Sequence, residues 1–151
     1  MSAEPNYLET LYKDLALALG DAVWAFARVE YLVYEYLGHL SSDRVDELVG
    51  DMNFRARANI LKKLIERRST GKGKLDRALS ALQKAESLGD RRNIIVHNPW
   101  RIWVDLDAKK FMTEIQKYSN RNKKINLNDL RQFAEDAGAV EEELREALNA
   151  L

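Results

Sequence analysis

The 151-residue chain has no cysteine, only two histidines and two prolines, and no net charge. Without thiols there is no disulfide framework, no thiolate metal site and no thiol nucleophile. His39 and His97 stand far apart, so a histidine-rich metal site is not expected, nor is any cofactor. A balance of 24 basic against 24 acidic residues argues against broad electrostatic capture of nucleic acid. Long apolar runs are missing too: the longest, Leu15 to Ala27, carries Asp21 and is too short to span a bilayer. The opening Met-Ser-Ala-Glu-Pro has neither a basic region nor an apolar core, so neither a signal peptide nor membrane association is expected. With 46% hydrophobic and 32% charged residues, the chain reads as one soluble, cytoplasmic domain over residues 1–151, large enough for a real core.

The charge that is present is unevenly spread. Residues 55–77 carry nine Lys or Arg against Glu66 and Asp76, while residues 129–151 carry seven acids against Arg131 and Arg145. Two solvated helix faces of opposite sign would account for this, as would a polyanion met by the first segment and repelled by the last.

Helical periodicity dominates. Residues 5–40 read as one helix starting at Pro5, with the stripe Leu8, Leu11, Leu15, Leu19, Ala22, Phe26, Val29, Val33, Tyr36 and Leu40 keeping its phase across Gly20. A kink or thin spot is expected there, not a break. Trp24, Tyr31 and Tyr34 add more aromatic surface than one partner helix needs, so part of this face is a candidate oligomer contact, unless the helix is packed on two sides. Ser41-Ser42 can cap a short helix to Val49, ended by Gly50. A further helix follows over residues 53–68, with Ile60, Leu61, Leu64 and Ile65 inward. Residues 69–74, Ser-Thr-Gly-Lys-Gly-Lys, form the clearest loop; no strand precedes them and no Gly-Lys-Ser/Thr ends them, so they are not read as a phosphate cradle. The central helix runs from about Leu75 to His97, and Gly89 within it points to close backbone approach by another helix.

After Trp100 the period changes. Ile102, Val104 and Leu106 alternate with polar or aromatic neighbours, and residues 111–118 can pair back as a hairpin, followed by a basic turn at 120–124. Asn126, with Asp129 three residues later, suits the start of a last helix striped by Leu130, Phe133, Ala137, Val140, Leu144 and Leu148. The expected fold is mainly α: a bundle of four to five helices with a small β-hairpin before the C-terminal helix.

Chemistry concentrates in residues 90–100, Asp-Arg-Arg-Asn-Ile-Ile-Val-His-Asn-Pro-Trp. Pro99 ends the helix, which puts His97 in its last turn, where the helix dipole favours an imidazolium. Ile94, Ile95 and Val96 suggest a helix end wrapped by others. Arg92 and His97, five residues apart, do not share one helical stripe, whereas Asp90, Asn93 and His97 do. Either the Arg92 side chain curls round or a second subunit completes the site. A purely structural role is equally open: Arg92 could pair with Asp90 or Glu86, Arg91 with Asp90, and His97 could cap free carbonyls. His39, without polar companions, is read as structural.

An arginine, a polar residue, an apolar run and a histidine at a helix end resemble the signature of the HEPN superfamily, carried here by Arg92, Asn93 and His97. The Glu86 to Arg92 lead-in, the Asn98-Pro99-Trp100 exit and the upstream helices extend the resemblance over most of the chain. It departs at Asn98-Pro99, where many relatives carry glycine, and that leaves the shape of the exit loop open. The resemblance implies a metal-independent endoribonuclease in which the RNA's own 2′-hydroxyl attacks phosphorus, leaving a 2′,3′-cyclic phosphate. Arg92, Asn93 and His97 would be catalytic, and Arg91, Trp100 and Arg101 would contact substrate. It further implies a homodimer, a toxin, defence or RNA-processing role, and an antitoxin or other protein partner. The alternative is a non-catalytic dimeric module that binds a protein or nucleotide, which zero net charge favours.

Overall fold

A computed structural model describes residues 7–151. Five helices and three strands follow in the order α1 (Tyr7–His39), α2 (Val45–Leu48), α3 (Phe54–Glu66), α4 (Lys72–His97), β1 (Trp100–Asp105), β2 (Lys110–Gln116), β3 (Lys124–Asn126) and α5 (Leu127–Asn149). The mainly α bundle with a small sheet before its last helix is as expected; the expected start at Pro5 lies outside the described residues. α1, α3, α4 and α5 pack around Phe26, Leu61, Leu82, Phe133 and Leu144, all essentially without solvent contact.

α1 passes unbroken through Gly20, because its buried stripe (Leu15, Ala22, Phe26, Val29, Val33, Tyr36) keeps one phase against α5 and α3. α2 is shorter than expected. Ser41 does not cap it as its first residue. Its hydroxyl donates to the Leu37 carbonyl at 2.7 Å and accepts the Val45 N–H at 3.3 Å, linking two helix ends across a gap. Arg44 enters α2 in the left-handed region (φ 52°), held by Asp46 at 3.2 Å and Glu47 at 2.7 Å.

α3 begins where Asn53 accepts the Ala56 N–H at 3.0 Å, satisfying one of the donors a helix start leaves free. The glycine-lysine loop is shorter than expected, since α4 starts at Lys72 and Gly71 accepts from Lys74 and Leu75. Gly73 falls in the first turn. In the last turns of α4 only Ile95 is buried; Ile94 and Val96 are partly exposed, because the sheet covers one side only.

β1 and β2 pair antiparallel with Trp100 opposite Ile115 and Asp105 opposite Lys110. A third strand was not expected: β3 pairs with β2, setting Ile125 opposite Ile115, both buried. It turns the basic 120–124 segment into a tight connection and leads straight into α5. There Asn126 and Asp129 exchange bonds of 2.8 and 3.0 Å in a full capping box. Every residue of the expected α5 stripe is buried.

Candidate functional site

The C-terminal half of α4, the start of α3 and the middle of α1 enclose a cleft of about 660 Å³. Phe26 and Phe54, edge-on with ring centres 5.1 Å apart, form its floor. Gly89 makes room for that floor: a Cβ there would lie 3.0 and 3.1 Å from the Phe54 ring. The glycine is needed for a close approach, as expected, but by an aromatic side chain and not by another backbone.

Arg92 and His97 both line this cleft within a single chain. The long arginine side chain reaches over the Phe26 ring, 6.0 Å from its centre. The Arg92 guanidinium donates to the Asn93 amide oxygen at 3.3 Å and, among the described residues, forms no ion pair. Of the two carboxylates the sequence offers it, Asp90 is held by Arg55 at 2.8 and 3.1 Å, while Glu86 lines the same cleft and forms no ion pair with Arg92. His97 is exposed and makes no side-chain hydrogen bond among the described residues. Capping falls to the next residue. The Asn98 amide donates to the Ile94 carbonyl at 2.9 Å and accepts the Tyr118 N–H at 3.0 Å, which also settles the exit loop in an extended conformation (φ −128°, ψ 138°).

Arg91, one residue away, is differently employed. It pairs with Asp136 of α5 at 3.0 Å, not with Asp90, and lies 5.3 Å over the Phe133 ring. A hydrogen bond from Gln132 and then the Arg91 contact hold the Asp136 carboxyl below its ordinary range. Trp100 packs against the core with its indole nitrogen buried, and Arg101 bonds Gln116 at 2.7 Å on the sheet; neither lines the cleft.

The cleft gathers two groups that the sequence reading passed over. Glu30 of α1 and Arg57 of α3 both line it, and neither forms an ion pair among the described residues. Arg57 lies 5.9 Å from the Tyr34 ring, and its Nε is buried without a hydrogen-bond partner. The available signal was Glu30 standing inside an apolar helix run. Arg57 and Arg92, the carboxylates of Glu30 and Glu86, and the His97 imidazole thus face one space, beside the Arg55–Asp90 pair. Such an array can hold an anionic group and move a proton beside it.

No family model, curated protein or solved structure matches the chain.

Among the described residues, no three of His, Asp or Glu are grouped so as to hold a metal ion, and no helix is long and apolar enough to cross a membrane.

Proposed function

We propose that the chain is a metal-independent endoribonuclease of HEPN type. One observation carries this reading: Arg92 and His97 share a cleft and, among the described residues, neither forms an ion pair, while Asp90 and Arg91 beside them do and Asn98 is held by hydrogen bonds. In the reaction the 2′-hydroxyl oxygen bonds to the adjacent phosphorus and the bond from phosphorus to the 5′-oxygen breaks. A 2′,3′-cyclic phosphate and a 5′-hydroxyl result. One proton must leave the 2′-hydroxyl and one must reach the 5′-oxygen. His97 handles one of them, since imidazole is the side chain that ordinarily exchanges protons near neutral pH. Glu30, across the cleft, is available for the other. Arg92, with Arg57, offers planar donors to charge growing on the phosphoryl oxygens, and Asn93 holds the Arg92 fork. The role would be that of a cytoplasmic toxin, defence or RNA-processing enzyme, restrained by a protein partner where it is toxic.

The test is incubation of purified protein with total RNA in chelator, wild type beside His97→Ala. Cleavage with cyclic-phosphate ends that is lost in the variant supports the reading. A destabilised variant with full specific activity would end it.

A second reading, a non-catalytic dimeric module, draws on a different face. Leu17, Trp24 and Tyr31 recur every seven residues on the outer side of α1 at 67%, 71% and 66% exposure. Gly20 lies among them with nothing near its Cβ position, a cost of roughly 1 kcal/mol in a helix that no contact within the chain explains. A second copy packing there would cover the stripe and use the glycine. Sedimentation of wild type and Trp24→Glu at tens of micromolar decides whether a dimer forms through it.

A further inference from the structure

The last two turns of α4 are a ridge between two hollows. On the side away from the cleft lies a second space of about 870 Å³, and Asp90, Asn93 and His97 line both. The far wall of this second hollow is the β2–β3 connection, residues 117–124, Lys-Tyr-Ser-Asn-Arg-Asn-Lys-Lys, with four basic residues and no acid. Lys117 and Lys123 line the hollow and form no ion pair among the described residues. The acids facing it are already engaged: Asp90 by Arg55, and Asp129 by the Asn126 N–H in the capping box. Setting aside the pairs that Asp90, Arg91 and Lys124 form, Lys117 and Lys123 stand there against Asp129, whose charge the N–H bond does not cancel.

The connection is built as a fixed platform. The Lys117 N–H donates to the Lys123 carbonyl at 3.0 Å, the Lys123 N–H to the Asn120 carbonyl at 3.0 Å, and the Gln116 amide to the Arg121 carbonyl at 3.0 Å. Tyr118 projects from it at 91% exposure, so its ring contributes almost nothing to the core. Its backbone is nonetheless anchored, because Asn98 bonds both the Tyr118 N–H and the Ile94 carbonyl. One side chain therefore fixes the distance between the exposed tyrosine and the end of the helix that carries His97.

An exposed aromatic ring on the same hydrogen-bonded turn as two lysines that form no ion pair among the described residues suits single-stranded nucleic acid: bases stack on the ring and cations follow the backbone. We infer that the β2–β3 connection is a second nucleotide-binding site and that the substrate is single-stranded RNA laid across the α4 ridge. One nucleotide would stack on Tyr118 with its phosphates at Lys117 and Lys123. The chain then crosses His97 into the cleft of Arg57 and Arg92. This rests on the ribonuclease reading for what happens at His97, but the binding is measurable without cleavage.

The experiment titrates a fluorescent 2′-O-methyl oligonucleotide, which lacks the attacking hydroxyl, against the full chain at several salt concentrations. Tyr118→Ala should weaken binding about tenfold, within the range of one lost stacking contact. Lys117→Gln with Lys123→Gln should reduce the slope of log affinity against log salt by about 1.4, from about 0.7 per phosphate contact on a single strand. A pre-formed duplex of the same sequence should compete poorly. All three changed residues are surface side chains, and unchanged melting temperatures would confirm folding. Unaltered affinity and salt slope in these variants, or no binding by wild type, would overturn the second site. If His97→Ala binds like wild type and RNA is never cut, the ribonuclease reading falls while the binding site stands. If RNA is cut with unchanged KM in Tyr118→Ala, the reverse holds.

Discussion

Arg91 and Arg92 are neighbours on one helix, yet they belong to different regions of the molecule. Arg91 faces the seam between α4 and α5, where charges meet in pairs: Arg77 with Glu146 and Lys84 with Glu143, both at 2.8 Å, and Arg91 with Asp136 at 3.0 Å. Arg92 faces the cleft, where it, Arg57, Glu30 and His97 form no ion pair among the described residues. A helix surface turns by about 100° per residue, so adjacent positions can serve separate tasks. The seam accounts for part of the acidic C-terminal segment as a neutralised helix contact. Apart from the Arg55–Asp90 pair, the cleft leaves these charges without an ion pair among the described residues, which a folded protein tolerates only where solvent or a ligand can reach them.

The largest expected effect lies on the cleft side. His97→Ala should lower RNA cleavage by about 10²-fold or more with an unchanged melting temperature. Arg92→Ala should lose comparably, and Arg92→Lys should recover only part, because an ammonium keeps the charge but not the fork. Chelation should leave the wild-type rate as it was. Away from the cleft, at the contact of α1 with α5, Arg28 at 2.6 Å and Arg145 at 2.7 Å clamp the buried Glu141. Glu141→Ala should cost about 1–3 kcal/mol of stability, read by urea denaturation, with specific activity retained. Arg91→Ala should cost less, about 1 kcal/mol or under, since its pair with Asp136 is partly exposed. If Arg91→Ala instead abolished cleavage without loss of stability, the division between seam and cleft would fail.

The smallest effect is one of pH. The folded-state value of Asp136 is depressed, so its ionised form is favoured by folding. The stability it contributes is present above the ordinary carboxylate range, about pH 4, and is lost as pH falls through the depressed value. The stability gap between wild type and Asp136→Asn should therefore narrow as pH drops below about 4.

How much of this could be read from the sequence depends on how far apart the deciding residues are. The α5 stripe and its Asn126–Asp129 start were legible because a 3.6-residue period and a three-residue spacing are local. Arg92, Asn93 and His97 were legible as a short motif for the same reason. β3 was not, since three residues carry too little alternation, and its evidence is Ile125 docking beside Ile115. Glu30 and Arg57 were missed because only packing of α1 and α3 against α4 brings them beside Arg92. The same distance hid Asp136 as the partner of Arg91. Gly89 signalled a close approach, but nothing local says that Phe54 makes it.

The two arginines are not insulated from one another. Arg91 rests on Phe133, Arg92 rests on Phe26, and the two rings lie 6.2 Å apart at a 39° tilt. Each cation therefore sits on one end of a pair of touching aromatics buried in the core. Replacing Phe133 to repack the α4–α5 contact would shift the surface under Arg92 as well. Paired substitutions at these positions should depart from additivity, as contacting residues usually do. For the history of such a chain, this means that the stabilising side and the open side cannot drift independently. A change tolerated in the bundle is tested, through two rings, at the mouth of the cleft.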